Sequence, residues 1–401
     1  MTTSSSLVGI TTVMVTKLGK STIPLSNLTI VPIQIMMRCT AVGSRVIAMN
    51  NRTTPNNMTT IHSVNTLRGR GLPDKTVCHV GPILDKGGMA AVIESISSMR
   101  IQGWSVDILN SYSRWPFWAR FSHVPSVIKR LSMKHQKGNL DLVHIHVTHG
   151  LSWYRKRVIA RWCMKNNIPT IMHIHSGRPE TIIGKSKRLL DSARESDLLR
   201  IIVLENRWLN HFEKRYLDRV SVIPNAPRKI FTSDSKPEDL MFGVFCRPVK
   251  HKRHGLALST IGILRDKGFD AKMICTGNPF DSPPGWVEQH GWVDQYELHE
   301  LMSRCRFIIQ PSLREGSSMS VIEAISMGII PIVSEASRET IGTRGITING
   351  DDPSKWASLI QDYIADSRNK PSENVQEQHD SPNNRKAVAE SLRLLYDGQI
   401  S

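Results

Sequence analysis

Two carboxylates, Glu315 and Glu323, lie on either side of a Gly316-Ser317-Ser318 turn in the segment REGSSMSVIEAISMGIIPIVSE. Glu315 stands just past the apolar run RFIIQPS, where a loop carboxylate can accept hydrogen bonds from ligand hydroxyls. Glu323 falls in the helix-like run that follows, roughly 12 Å further along if all eight steps were helical at about 1.5 Å each. The glycine-containing turn lets the first carboxylate fold back toward a cleft. Backbone N–H groups at the helix start, near Met319 and Ser320, point at an anion, which the helix dipole favours further. The plainer alternative is a pair of solvated carboxylates flanking a helix.

Arg247 and Lys252 form a second constellation in FCRPVKHKRHGL, again just after an apolar run. Fixed cations stabilise the negative charge that builds on a departing diphosphate, and they do so without a metal. A solvated basic loop, with Lys250 and Arg253 as further members, is the other reading. Gly87 and Gly88 follow TVCHVGPI, where the lack of a side chain allows backbone N–H groups to approach a phosphate or a sugar closely. His175 ends IMHIHSG and can hydrogen-bond a sugar or polarise a reacting centre. His144, His146 and His173 alternate within strands as core histidines do. The chain contains no Asp-x-Asp, and its histidines lack a metal-ligand spacing, so no residue is assigned to a metal.

The elements that must position these groups alternate between strand and helix. TVCHVGPI, the helical MAAVIESISSMRIQG and WSVDILNS make a β-α-β unit; DLVHIHVTH, RKRVIARWCMKNN and PTIMHIHSG repeat it. After SVIPNAP, whose prolines suit a connector, come MFGVFC, GLALSTIGILRDKG, AKMICTG, DQYELHELMSRC, RFIIQPS and IIPIVS. Such alternation implies an α/β protein with two parallel sheets covered by helices, and ligands held beyond the carboxyl ends of the strands. The expected organisation is a leader over 1–75, a Rossmann-like acceptor domain over 76–222, a Rossmann-like donor domain over 223–383 and a C-terminal helix over 384–401. A polar stretch from Asp366 to Asn384 reads as a linker, and the closing helix NRKAVAESLRLLYDG, with Gly398 as its cap, is expected to return to the first domain.

A formal charge of +17 implies an anionic partner: nucleic acid, an acidic membrane surface or phosphorylated small molecules. No nucleic-acid motif accompanies it, so nucleic acid is set aside. The six cysteines show no close pair, which favours a reducing compartment over a disulfide framework. No acid precedes Asp74, as in a transit peptide or in a poorly ordered or mis-started extension. The run Leu28 to Met37 is too short to span a membrane, which needs about 20 apolar residues. Between Ser113 and Lys137, Trp115, Phe117, Trp118 and Phe121 mix with Arg114, Arg120, Lys129 and Arg130, suiting either an anionic lipid surface or a half-buried loop and helix.

Taken in order, TVCHVGPILDKGG, IMHIHSG, VIPNAP, FCRPVKHKRHGL, ICTGNPF and the Glu315–Glu323 segment resemble a GT-B-fold retaining glycosyltransferase of the family-four type over roughly residues 76 to 398. The resemblance implies two Rossmann-like domains facing a cleft, with Glu315 on the donor sugar and Glu323 on the nucleotide ribose. It further implies that Arg247 and Lys252 hold the donor diphosphate and that His175 acts at the reacting centre. One departure is that Ser317-Ser318 follow Gly316 where the family often has Phe-Gly, which bears on donor-sugar fit. The implied reaction moves a sugar, a hexose in the first instance, from a nucleotide-sugar to an acceptor hydroxyl with retention and without metal or other cofactor. Glu315, Arg247, Lys252 and His175 are its expected catalytic residues, with Gly87, Gly88, Glu323, Gly316, Ser317, Ser318, Met319 and Ser320 binding the donor. A sugar, lipid-linked or polysaccharide acceptor is expected, in a cytoplasmic protein that is a candidate for the inner face of a membrane. The alternatives are a sugar phosphorylase or sugar-nucleotide hydrolase on the same fold, or a catalytically silent GT-B protein that binds anionic polymer or membrane.

Overall fold

Strands of a parallel sheet covered on both faces read as unbroken apolar runs. LVHIHV and CRFIIQ are strands of this kind in a computed structural model of the chain, which describes residues 75–83, 87–111, 123–231, 235–369 and 383–400. The expected leader up to residue 74, the aromatic cluster from Trp115 to Phe121 and the polar stretch 370–382 lie outside the described residues.

The first sheet contains β1 (Lys75–Gly81), β2 (Trp104–Asn110), β3 (Leu142–Val147), β4 (Thr170–Ile174), β5 (Leu199–Val203) and β6 (Val220–Val222). All neighbours are parallel, in the order β2-β1-β3-β4-β5-β6. Helices α1 (Gly88–Ser97), α2 (His123–Gln136), α3 (Leu151–Lys165) and α4 (Glu180–Ser196) supply its crossovers. The second sheet contains β7 (Glu238–Val244), β8 (Lys272–Thr276), β9 (Val287–His290), β10 (Cys305–Gln310), β11 (Ile330–Ser334) and β12 (Ile346–Ile348), in the order β12-β11-β10-β7-β8-β9. Its helices are α5 (His254–Asp266), α6 (Gln295–Ser303), α7 (Met319–Ser326), α8 (Arg338–Ile341) and α9 (Pro353–Asn369). Chain order reverses between β1 and β3 in one sheet and between β7 and β10 in the other. Loops leaving such a switch point part to opposite faces and open a crevice at the carboxyl edge.

The last helix, α10 (Arg385–Ile400), returns to the first sheet. Val388, Leu392 and Tyr396 are buried four residues apart, a single stripe on a helix, and they join Val77, Leu142, Ile171 and Ile202 of the strands with Val92 and Ile96 of α1. Two details differ from the sequence-based expectation. Gly398 does not cap the helix but lies inside it, because contacts on either side of it hold the last turn: Asp397 accepts from Lys75 and from Trp104 Nε1, and Gln399 donates to the carbonyl of Asp197. Helix α9 continues beyond Asp366 to Asn369, since its stripe Trp356, Ala357, Ile360 and Ile364 is locked in the second core and the final turn extends from it. Among the described residues, no helix is long and apolar enough to cross a membrane.

Candidate functional site

The loops leaving β1, β4, β7 and β10 enclose a cavity of about 790 Å3, within the range of small-ligand sites. Its lining includes Gly87, Gly88, His175, Arg247, Lys252 and Glu315. Gly316, Ser317, Ser318, Met319, Ser320 and Glu323 complete the set, so the twelve residues expected to act in catalysis or donor binding all line one cavity.

Glu315 is nearly buried and does not behave as a solvated carboxylate. Lys252 Nζ donates to its Oε1 at 2.5 Å, and Gln310 at the end of β10 donates to the same oxygen. The basic turn that carries Lys252 is latched to the β10 loop, Arg253 Nε donating to the Pro311 carbonyl and Leu313 N to the His251 carbonyl at 2.8 Å. Lys252 is therefore fixed, whereas Arg247 is exposed where it lines the cavity. Ser318 precedes α7 in the capping position yet makes no side-chain cap; its hydroxyl donates instead to Gln310 Oε1 at 2.9 Å. The first N–H groups of α7 thus keep their capacity for an anion on the cavity side.

Glu323 is 1% exposed and is clamped by Arg228, whose Nε lies 2.7 Å from Oε1 and whose other nitrogen lies 3.2 Å from Oε2. His299 Nε2 stands 3.7 Å from Oε2. Burial pushes this carboxyl's pKa up, but the adjacent His299 imidazole and the hydrogen bonds and charge of Arg228 outweigh that and hold it below the usual carboxylate value. Two oxygens used once each by a guanidinium keep further lone pairs for ligand hydroxyls.

Backbone meets backbone where the two halves of the cavity touch. A Cβ on Gly316 would lie 3.1 Å from the carbonyl oxygen of His175, and one on Gly177 would lie 3.1 Å from the carbonyl carbon of Glu315. The glycines are what permit this closeness. Other ties between elements of the two sheets are Asn225 Nδ2 to the Ser317 carbonyl at 3.1 Å and Arg207 to the Ala336 carbonyl at 2.7 Å. Thr340 donates to Glu205 Oε1 at 2.6 Å. Glu205 is also paired with Arg207, but burial is the larger influence and raises its pKa to about 7.

His175 closes β4 with Nε2 2.9 Å from His146 Nδ1. Burial lowers its pKa to about 3, the charge of Lys156 acting in the same direction, so the imidazole is neutral at ordinary pH. Gly87 caps α1 in an extended conformation, and a Cβ on Gly88 would meet nothing within 4 Å. Arg228 and Asn225 were missed from the sequence, although Asn225 lies within SVIPNAP, quoted for its prolines, and Arg228 directly follows it. The signal available there was a lone arginine directly behind a rigid turn.

Residues 237–366, which hold the second sheet and most of its helical cover, match the family model described as glycosyl transferases group 1. No curated protein is similar to the chain in sequence. Among solved structures, sucrose-phosphate synthase from Thermosynechococcus elongatus is similar at 16% identity and TM-score 0.55, over 81% of this chain and 98% of that one. The catalytic domain of starch synthase IV from Arabidopsis thaliana, bound to ADP and acarbose, is similar at 11% identity and TM-score 0.56, over 82% and 99%. An α,α-trehalose-phosphate synthase (UDP-forming) from Burkholderia xenovorans in complex with glucose-6-phosphate is similar at 10% identity and TM-score 0.53, over 81% and 100%. These likenesses establish the GT-B arrangement of two Rossmann-like domains.

Proposed function

We propose that the chain transfers a hexosyl group from a nucleotide-sugar to an acceptor hydroxyl with retention of anomeric configuration and without a metal. The observation that carries this reading is the convergence of Glu315, Lys252, Arg247, Glu323 and the uncapped start of α7 on one cavity, opposite His175 and Gly87-Gly88. The diphosphate is received by the N–H groups near Met319 and Ser320 and by Arg247 and Lys252, whose charges stabilise the departing phosphate. Lys252 exchanges part of its contact with Glu315 for the phosphate when the donor enters, leaving Glu315 for the sugar hydroxyls. Glu323, kept anionic by Arg228, accepts the ribose hydroxyls. The acceptor oxygen forms its bond to the anomeric carbon on the face from which the phosphate leaves, and the acceptor proton passes to the departing phosphate oxygen.

The acceptor, a sugar, a lipid-linked sugar or a polysaccharide end, is assigned to the first domain. The net charge of +17 is compatible with a peripheral position at an anionic inner membrane surface in the cytoplasm. The test is a thermal-shift screen of UDP-, GDP- and ADP-linked hexoses in EDTA, followed by an assay of nucleotide release with and without oligosaccharide acceptors. A ligand at 100 times its dissociation constant stabilises by about 2.7 kcal/mol. Stabilisation by one class of nucleotide-sugar and acceptor-stimulated release is expected; no shift with any of them, or release only after Mg2+ or Mn2+ is restored, would refute the reading.

A further inference from the structure

His79 of β1, His144 and His146 of β3, His173 of β4 with His175 directly after it, and Tyr396 of α10 lie side by side on one face of the first sheet, because β3 sits between β1 and β4. All are buried except His175, which is partly exposed and is the only one of the six on the cavity. They form one unbranched chain of hydrogen bonds. His175 Nε2 meets His146 Nδ1 at 2.9 Å, and His146 Nε2 meets His79 Nδ1 at 2.9 Å. His79 Nε2 meets Tyr396 Oη at 3.2 Å, Oη meets His144 Nδ1 at 2.8 Å, and His144 Nε2 meets His173 Nδ1 at 3.1 Å.

The connectivity restricts the protons. A neutral imidazole has one N–H and one bare nitrogen, so a ring that uses both must donate on one side and accept on the other. Tyr396 likewise donates to one neighbour and accepts from the other. Each contact between rings joins an Nδ1 to an Nε2, and Tyr396 joins His144 Nδ1 to His79 Nε2. Only two proton orders then satisfy every bond: all five rings protonated at Nδ1, or all five at Nε2. Any mixture leaves two N–H groups or two bare nitrogens facing each other away from water or, where the order changes at Tyr396, leaves its O–H or one imidazole nitrogen without a partner in the chain, a costly arrangement in a buried network. The far end offers no outlet, since His173 Nε2 is buried without a partner among the described residues. The chain is thus a lock on proton order rather than a path for protons.

We propose that Tyr396 is a positioning residue for His175: through this chain it holds His175 in the tautomer shared by all five rings, and so fixes whether His175 Nδ1, itself buried and without a partner among the described residues, is an N–H or a bare nitrogen beside the cavity. The catalytic consequence rests on the glycosyl-transfer reading of the cavity; the shared tautomer does not. The test uses the full chain labelled with 15N-histidine, read by two-bond proton–nitrogen correlation of the imidazoles and assigned by single-site substitution. Five rings of one tautomer are expected, and a mixed set overturns the proposal. Co-purification or uptake of one equivalent of Zn2+ with loss of these signals also overturns it, in favour of a metal site at His146, His173 and His175.

Tyr396→Phe, which keeps the ring that packs in the core, is expected to shift the nitrogen signals of His175, which Tyr396 does not touch. It is also expected to lower kcat about tenfold at unchanged donor KM. Unmoved His175 signals together with an unmoved kcat would overturn the proposal. If the five rings agree but no nucleotide-sugar is ever turned over, the lock stands and the reading of the cavity falls instead.

Discussion

Arg228→Ala removes the partner of a carboxylate that has almost no contact with water. Side-chain exposure is 15% for Arg228 and 1% for Glu323, so the pair is desolvated, and breaking such a pair from one side costs about 3–5 kcal/mol. Two further contacts set where in that range the loss falls. Arg228 also stands 3.5 Å from Glu94, but that carboxylate is 56% exposed and adds little. His299, 3.7 Å away, stays with Glu323 and offsets part of the loss. A destabilisation near ~3 kcal/mol follows, a fall in Tm of about 6 °C at ~2 °C per kcal/mol for a chain of this size. The loss depends on pH in a definite sense. In the native chain the Glu323 pKa is below the usual value of 4.5, so its stabilisation is present above 4.5 and is lost only as pH falls through the lowered value. Without Arg228, burial drives that pKa up, and stability is instead lost as pH rises from about 4.5. The gap between variant and native chain therefore widens from pH 4 to pH 8. Thermal and urea unfolding across that range measure it, and Arg228→Ala with Glu323→Gln should recover part of the loss. A gap that is constant with pH, or no recovery in the double variant, would refute the account of the clamp.

Glu323→Gln should raise the donor KM with kcat nearly unchanged, whereas Glu315→Gln should lower kcat by about 10²-fold at saturating donor; equal small effects in steady-state kinetics would break the assigned roles. Arg247→Ala should cost on the order of 10²-fold in kcat, with native activity unaffected by EDTA, as measured by nucleotide release. Glu205 has its pKa raised to about 7, so its contribution is full below 4.5 and is lost as pH rises to 7; Glu205→Gln should flatten the fall in Tm between pH 5 and pH 8. Gly316→Ala, which places a Cβ 3.1 Å from the His175 carbonyl, should weaken donor turnover several-fold with little loss of secondary structure by circular dichroism.

The run of strands and helices was legible because buried parallel strands advertise themselves as apolar runs, and because a carboxylate pair set between IIQPSL and EAISMGIIPIVS is unlike a chance spacing. What the sequence could not show is lateral order. His144 and His146 read as alternate residues of one strand, and nothing local says that β1 and β4 flank it with their own histidines. The Arg228–Glu323 clamp joins residues 95 apart, and no periodicity encodes such a pairing. Nor could it show which cation is held in place: Arg247 and Lys252 follow the same apolar run, and it is the latch through Arg253 and His251 that fixes Lys252 while Arg247 is exposed. Gly398 was given a cap's role from its place near the chain's end, where the contacts of Asp397 and Gln399 were decisive.

The return of α10 to the first sheet has a consequence for how the protein is made. Tyr396 bonds His79 across 317 residues, so on the ribosome the first domain emerges early with the part of one sheet face beside α1 uncovered, His79, His144 and His173 among the groups there. That face stays open while the entire second domain is synthesised, and it can be covered only once residues 388–396 have left the exit tunnel. Completion of the first domain is therefore a late, long-range event, slow by the general dependence of folding rate on the sequence separation of contacts. In the interval the bare face is a site for chaperone capture or misassembly. A ribosome stalled after β12 should hold a protease-sensitive first domain, and supplying the α10 peptide in trans should protect it.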